Sequence, residues 1–247
     1  MPPVLPAEQV QRPSFLGVQQ AYVLNPDTQI LQPVPDNLIT IAVRYPQPDQ
    51  DEAVKFFLSC IPDPAKFLAE QHRKIASMLR SDKVLPIRYR TITLSLKHIE
   101  GLADTQGDTI TLSLPWISSW ATKSDLAAAT LEFQGVITHE LVHVMQYDGE
   151  GSASWWWIEG LADYVRWKLD LAPPHWGKRG EGDSHEDGYS TTAHFLDWLS
   201  ERKLSQHLVQ EINARLMAQG WKEEWFEELT GLPVKTLWDI YKAQQHQ

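Results

Sequence analysis

The sequence predicts an α+β fold, with a small mixed sheet in the N-terminal half packed against a central helix, and a helical C-terminal half. Three observations lead to this prediction. Short β-branched runs that end at prolines occur only before residue 116. Apolar residues at helical spacing dominate the chain after residue 122. No internal repeat is visible, and 247 residues of which 43% are hydrophobic suffice for one large domain with a buried core.

The N-terminal end is predicted to form an irregular arm over residues 1–36, followed by a single domain over 37–247. Seven of the 16 prolines lie in the first segment, which has few periodic apolar positions. The β-branched run at 38–45 is short, stops at a proline and indicates a strand. Residues 51–80 then follow a helical pattern with a break at 61–64.

Two further strands are predicted before the helical half begins. Alternating side chains indicate a strand over 87–97, and a second β-branched run indicates one over 109–114, which Pro115 ends. The segment from Asp104 to Gly107 between them is interpreted as a turn.

The C-terminal half is predicted to be a succession of helices. The first begins near Asp125 and stops at 148–149. Its apolar face is formed by Leu126, Ala129, Phe133, Val136, Ile137, Leu141 and Val144. A second helix covers about 154–171 and ends before two prolines. Glycine and charge at 177–188 predict a loop, and three or four more helices fill 189–243.

Charge and composition exclude several classes of partner. The chain carries 22 Lys and Arg against 32 Asp and Glu, a net charge of -10, which argues against nucleic acid and anionic membrane as partners. The longest uncharged apolar run near the N-terminus, Leu38 to Val43, is far too short to span a bilayer. Because no signal peptide is visible and Cys60 is the only cysteine, we expect a cytoplasmic location by default.

The segment from His139 to His143 reads His-Glu-x-x-His and carries the main chemical signal. Residues four apart on a helix lie one above the other on the same face, so both imidazoles can reach one metal ion. Glu140 lies beside them and can polarise a metal-bound water. Because the motif lies inside an amphipathic helix, we favour a zinc site over the alternative, two satisfied histidines on a half-buried helix.

A catalytic zinc site usually has three protein ligands and one open position, so a third ligand is expected nearby. The next predicted helix supplies Glu159, and Gly160 beside it would permit the two helices to approach closely. Asp163 lies one turn beyond Glu159 and can accept the ring N–H of a metal-bound histidine, which fixes the tautomer of that ring. The alternative for both carboxylates is an exposed acidic stripe that continues to Asp170.

Four motifs in this order resemble the basic secretory protein family, the domain of peptidases of plants and bacteria. They read GVITHELVHVMQ at 135–146, WIEGLADYVR at 157–166, APPHW at 172–176 and GYSTTAHFL at 188–196. The resemblance covers about residues 38–243. The pairing of the first two motifs also resembles the glutamate-type zincins.

The resemblance implies a zincin-like metallopeptidase with a peptide or protein substrate, and a secreted location. It implies that His139, His143 and Glu159 bind Zn²⁺, that Glu140 is the general base, and that Asp163 supports a histidine ligand from behind. The sequence sets no oligomeric state.

Hydrolysis of a peptide also needs a donor to the developing oxyanion besides the metal. Tyr189 is the first candidate, because it follows a flexible loop and opens a helix within the last motif. The alternative for Tyr189 is a packed aromatic ring. His194 and His175 are further candidates, although each of them, like His185, is a lone histidine for which a core or surface role is the simpler interpretation.

Other chemistries find little support in the sequence. Neither Gly-x-Ser-x-Gly nor a glycine-rich phosphate loop occurs, and Cys60 is interpreted as a buried structural thiol. Most of the 11 tryptophans follow residue 154 and are interpreted as an aromatic core. Two alternatives that retain zinc stay open: a catalytically silent module whose Trp-rich face binds a peptide or glycan, and a hydrolase of a non-peptide amide. We expect the substrate to lie extended along strand 109–114 at the cleft edge.

Overall fold

A mixed sheet occupies the N-terminal half of the protein. The computed structural model describes residues 21–24, 31–34, 39–48, 51–79, 88–123, 125–202 and 207–245. Within these ranges the six strands are β1 (Ala21–Leu24), β2 (Leu31–Val34), β3 (Thr40–Arg44), β4 (Thr91–Lys97), β5 (Ala103–Gln106) and β6 (Thr109–Ser113). Their order is β2-β1-β3-β4-β6-β5. The four inner strands are parallel, and β2 and β5 are antiparallel at the two edges.

Helices make up the rest of the described chain. They are α1 (Glu52–Cys60), α2 (Pro64–Leu79), α3 (Leu114–Ala121), α4 (Leu126–Met145), α5 (Trp155–Lys168), α6 (Tyr189–Ser200), α7 (Leu208–Leu216), α8 (Trp225–Thr230) and α9 (Val234–Gln245). A 3-10 helix (His185–Asp187) precedes α6. The predicted α+β class, with the sheet first and a mostly helical second half, is confirmed.

The sheet core forms because its central strands are covered on both faces. β4 is buried continuously from Ile92 to Leu96, which is the pattern of a parallel strand between two layers. Ile41 of β3 pairs with Ile92 in register, and both side chains are buried. Helices α2 and α4 pack against this sheet, so α4 lies between the sheet and the helical half.

The central helix α4 begins where the side chain of Asp125 accepts a hydrogen bond from the Ala128 amide at 2.9 Å. It ends at Met145, because Gln146 is extended. The predicted apolar face lies in the core except for Leu126, which is exposed in the first turn. From Glu132 onward nearly every residue is buried, since both the sheet and α5 cover the helix.

Helix α5 follows a link at 146–154 that contains two glycines with positive φ, and it packs against α4 and α6. The expectation that Gly160 admits α4 is wrong, because a Cβ there would overlap the side chain of Thr192 on α6. The close approach to α4 is made at Gly135 instead, where the Arg166 side chain of α5 lies against the glycine.

Three local predictions in the first half need correction. β4 begins at Thr91 rather than at residue 87, which itself lies outside the described residues. The segment interpreted as a turn from Asp104 to Gly107 is mostly strand β5, and the tight turn falls at residues 107–108. Helix α3 is absent from the sequence prediction, in which Pro115 only ends a strand, but proline is equally favourable in the first turn of a helix, where Pro115 lies.

Two strands lie inside the segment predicted to be an irregular arm. β1 and β2 form an antiparallel pair, and β1 pairs in parallel with β3, so these parts of residues 1–36 are extended and hydrogen-bonded. The other residues of the predicted arm lie outside the described residues, and the division at residue 36 stays a prediction.

Tryptophans build much of the core of the helical half, as predicted. The buried ones are Trp156, Trp157, Trp198, Trp225 and Trp238. Cys60 is also buried, in agreement with a structural thiol. Among the residues that the structure describes, none of the helices has both the length and the apolar character that crossing a bilayer requires.

Candidate active site and metal centre

A cleft of about 900 Å³ lies where β5, α4 and α5 meet. Helix α4 contributes His139, Glu140 and His143 to its lining, and α5 contributes Glu159 and Asp163. The structure therefore brings together five of the residues that the sequence singled out, from two neighbouring helices.

Three of these side chains form a small triangle. The Nε2 atom of His139 lies 3.0 Å from Nε2 of His143 and 3.2 Å from Oε2 of Glu159. The third side, from Nε2 of His143 to Oε2 of Glu159, measures 3.6 Å. Ligands at about 2.0–2.2 Å from a tetrahedral zinc ion lie roughly 3.3–3.6 Å apart. The three atoms therefore have nearly the spacing of three corners of such a site.

Each histidine ring is held from its far side. Oδ1 of Asp163 lies 2.7 Å from Nδ1 of His139, and an ionised carboxylate can only accept, so Nδ1 carries a proton and Nε2 is the nitrogen that could bind a metal. The Nε2 atom of the Gln146 amide lies 2.7 Å from Nδ1 of His143 and, as placed, donates to it, which leaves the proton of a neutral His143 ring on Nε2. The same amide donates to the carbonyl of Ile158 at 3.3 Å, and this second contact fixes the amide that holds the ring.

Opposite effects act on the pKa values within the triangle. Burial raises the pKa of Glu159, but hydrogen bonds and charge from His139 and His143 outweigh it and lower the pKa to about 2. Burial lowers the pKa of His139, but hydrogen bonds to Asp163 and Glu159 outweigh it and raise the pKa to about 10. Without a metal, the His139 ring therefore carries a positive charge and lies between the carboxylates of Asp163 and Glu159. These two carboxylates make the site favourable for a cation.

The carboxylate of Glu140 is anchored by the edge strand. Oγ1 of Thr105 donates to Oε2 of Glu140 at 2.6 Å. Since Glu140 is buried and directly follows His139 on α4, this bond fixes one carboxylate oxygen and leaves the other for chemistry beside the triangle.

Tyr189 lies at the mouth of the cleft, at the first residue of α6. Its φ of 42° is a left-handed conformation that is costly for a non-glycine residue, and such strain is often found at functional sites. The Tyr189 ring is 49% exposed, stacks on His139 with centroids 6.2 Å apart and meets the edge of Trp155 at 5.4 Å. Burial and then the nearby carboxylates raise the pKa of Tyr189, which keeps its hydroxyl a donor at neutral pH.

The remaining histidines divide between the cleft and other parts of the fold. His175 is exposed and lines the cleft. His194 is buried, lies against Trp167 and donates to the carbonyl of Gly177 at 2.9 Å, which is a core role. Among the described residues that line the cleft, neither His194 nor His185 is present.

The edge of the cleft is formed by a different strand from the one expected. Strand 109–114 was predicted there, but β6 lies inside the sheet between β4 and β5. β5 is the edge strand, and its residues Ala103, Asp104 and Thr105 line the cleft. β6 is hydrogen-bonded to β4 on one side and to β5 on the other, so β5 is the outermost strand.

Ion pairs strengthen the wall of the cleft. Arg166 donates to Glu132 at 3.0 Å with both side chains nearly buried, and Arg88 donates to Asp148 at 2.9 Å.

Asp163 is only 4% exposed, so the alternative of an exposed acidic stripe along α5 does not hold.

Two supporting residues were not singled out from the sequence. Gln146 lies three residues after His143, so helical spacing could have indicated that it reaches the same ring. Thr105 is 35 positions away from Glu140 along the chain, and no local pattern connects the two.

Comparison with known proteins identifies the family of the chain. A model of the family described as peptidases of plants and bacteria matches residues 40–241. Neither the search of curated proteins nor that of solved structures gave a match. The matched range includes every described residue that lines the cleft. The chain belongs to the family of peptidases of plants and bacteria, and thus to a family of hydrolases.

Proposed function

We propose that this protein is a zinc-dependent peptidase. The observation that carries the proposal is the triangle of His139, His143 and Glu159, whose three ligating atoms are 3.0–3.6 Å apart. The donor set of two imidazoles and one carboxylate is one that catalytic zinc uses with a water in the fourth position. Membership of a peptidase family supports the peptide bond as the bond that is cleaved.

In this proposal His139, His143 and Glu159 hold the zinc ion. Zinc would supply a coordinated water of lowered pKa and would polarise the scissile carbonyl. Asp163 keeps the proton on Nδ1 of His139, so that Nε2 is free to bind. For Nε2 of His143 to bind, its proton must lie on Nδ1, so the Gln146 amide must turn and present its oxygen to that nitrogen.

Glu140 acts as the general base. Because Oε2 is held by Thr105, the free oxygen Oε1 accepts the proton of the attacking water. The same carboxyl group then delivers that proton to the nitrogen of the departing amine, so the base is regenerated after each cycle.

Tyr189 donates a hydrogen bond to the oxygen on which charge develops. Its hydroxyl stays protonated at neutral pH, and its ring already stacks on the ligand His139. The Tyr189 side chain lines the cleft, where substrate would enter.

The substrate main chain pairs with β5. This strand is hydrogen-bonded to β6 on one side, and its other side faces α4 and the cleft. An extended peptide added to that edge would pass Thr105 and the Glu140 carboxylate. This replaces strand 109–114 as the expected contact.

The decisive experiment combines Glu140→Gln with a broad peptide library. The substitution keeps the size of the side chain, so fold and zinc content should be unchanged, while peptide cleavage falls by about 10²–10⁴-fold. Tyr189→Phe removes only a hydroxyl and should lower kcat by roughly 10²–10³-fold at normal zinc content.

Cleavage is measured by mass spectrometry of the digested library, and zinc by elemental analysis of the same samples. Undiminished cleavage by zinc-loaded Glu140→Gln would contradict the mechanism. If zinc-loaded wild type cleaved no peptide, the silent binding module or the hydrolase of a non-peptide amide would replace the peptidase.

A further inference from the structure

A second group of ligating side chains lies outside the cleft. His185 and Glu186 belong to the 3-10 helix before α6, and Glu223 lies in the segment before α8. One ligand atom from each of the three lies within 4.8 Å of the others. None of the three lines the cleft described above.

His185 has a nitrogen that lacks a partner. The residue is only 8% exposed, and within the described chain its buried Nε2 atom makes no hydrogen bond. The ring is fixed by the edge-on contact with Trp156 at 5.0 Å and by Phe195 at 6.4 Å. Since a buried polar nitrogen without a partner destabilises the folded state, a partner for it is expected.

The nearest carboxylate is too far away to be that partner directly. Oε2 of Glu223 lies 3.9 Å from Nε2 of His185, which exceeds a hydrogen bond. An ion bound to both atoms at about 2.1 Å would separate them by roughly 3.4 Å at a tetrahedral angle and about 4.2 Å when they lie opposite. The gap therefore has the width that a bound cation would require.

The charges around His185 also favour a cation. The carboxylates of Glu186 and Glu223 both lie near the unpaired ring nitrogen of His185. Glu186 and Glu223 are exposed and can adjust their side chains. Asp187 is engaged with the backbone amides of residues 183 and 184. The nearby cation Lys235 lies 3.4 Å from the carboxylate of Asp239, which offsets its charge.

We propose that His185, Glu186 and Glu223 form a second site for a divalent cation of the zinc type. An imidazole with two carboxylates suits Zn²⁺ or Mn²⁺ better than Ca²⁺, which prefers oxygen ligands alone. The site is structural, because it joins the 3-10 helix to the segment before α8. Thr192 of α6 donates to the carbonyl of His185 at 2.7 Å, so the cation would also steady the helix that begins with Tyr189.

The test measures zinc bound to the full chain by equilibrium dialysis, after chelation of any metal carried through purification. We expect two zinc ions on the wild type and one on His143→Ala, in which the triangle is broken. Glu223→Gln in the His143→Ala background should weaken the remaining site by about tenfold or more, since a lost ligand costs at least as much as a lost supporting contact. Glu223 is half exposed, so this variant is expected to fold normally.

The matched control is Glu224→Gln in the same background, which changes the net charge equally but lies outside the group. It should bind zinc as tightly as His143→Ala. If the triangle binds no zinc, wild type and His143→Ala will both bind one ion, and Glu223→Gln alone will weaken its binding by about tenfold or more. That outcome separates this proposal from the proposed function. The second site is refuted if His143→Ala binds no zinc, or if adding Glu223→Gln leaves the affinity unchanged.

Discussion

The imidazole of His139 connects the triangle of His139, His143 and Glu159 to Asp163 of helix α5. One ring nitrogen contacts Asp163 at 2.7 Å, and the other lies 3.2 Å from Glu159. Two carboxylates on one buried ring favour its cationic form, which is why the pKa of His139 is raised to about 10 in the metal-free protein despite burial. A metal ion and a proton therefore compete for the same place, and metal binding must depend on pH.

The first prediction is that zinc binding near pH 8 releases about one proton from His139. At pH 8 the metal-free His139 ring is charged, because its pKa is about 10. Nε2 must lose its proton before it can bind zinc. The sign for stability follows from the same raised pKa. The contribution of charged His139 to the metal-free protein is complete below the unfolded pKa of about 6.5 and is lost as pH rises towards about 10.

Calorimetric titration with zinc in buffers of different ionisation enthalpy measures this release. Asp163→Asn is the matched control, because it removes a negative partner of His139 and should reduce the number of protons released near pH 8. Identical heats in every buffer would show that His139 binds zinc without losing a proton.

A second prediction concerns the hydroxyl of Thr105. Thr105→Val keeps the shape and the strand preference of the residue but removes the donor to Oε2 of Glu140. We expect cleavage to fall by about 10–100-fold with zinc content unchanged, since the loss of a supporting hydrogen bond misorients the base. Thr111→Val on β6 is the matched control and should leave kcat near the wild-type value. A Thr105→Val enzyme as active as wild type would mean that Glu140 is positioned by α4 alone.

At the scale of elements, the sequence predicted what is encoded by local periodicity. The apolar spacing along α4 and the four-residue spacing of His139 and His143 are properties of one helix, so the sequence alone predicts both. Helix α3 begins directly after β6, and the last residue of that strand, Ser113, caps the helix with its hydroxyl. β5 has polar residues such as Asp104 on an exposed edge, so it carries no apolar alternation and resembled a turn.

Contact between helices α5 and α6 gives a third prediction. A Cβ at Gly160 would overlap Thr192, so Gly160→Ala should lower the free energy of unfolding by about 1–3 kcal/mol. Thr192→Ser removes the methyl group nearest to that Cβ and keeps the hydroxyl that donates to His185. The double variant should therefore be less destabilised than the sum of the single ones, measured by urea denaturation. Strict additivity would place the strain elsewhere.

At the scale of the whole molecule, the cleft joins the two halves of the fold. The sheet supplies Thr105, the central helix α4 supplies His139, Glu140 and His143, and the helical half supplies Glu159. Residues on one helix could be assigned from spacing, whereas contacts across elements, such as Thr105 to Glu140, arise only when the chain folds. A metal at the triangle would cross-link α4 to α5, so its binding free energy would add to folding.

The last prediction is that removal of metal destabilises the entire domain. At free zinc a thousandfold above its Kd, binding stabilises the folded state by about 4 kcal/mol, which corresponds to roughly 10 °C in Tm for a chain of this size. Chelation of the wild type should lower Tm by that order, as measured by calorimetry. Glu140→Gln should show the full shift, because the base is not a ligand. His143→Ala should lose most of the shift and keep only what a second cation contributes. If the Tm of the wild type stayed constant while its zinc content fell to zero, metal binding at the triangle would not stabilise the packing of α4 against α5.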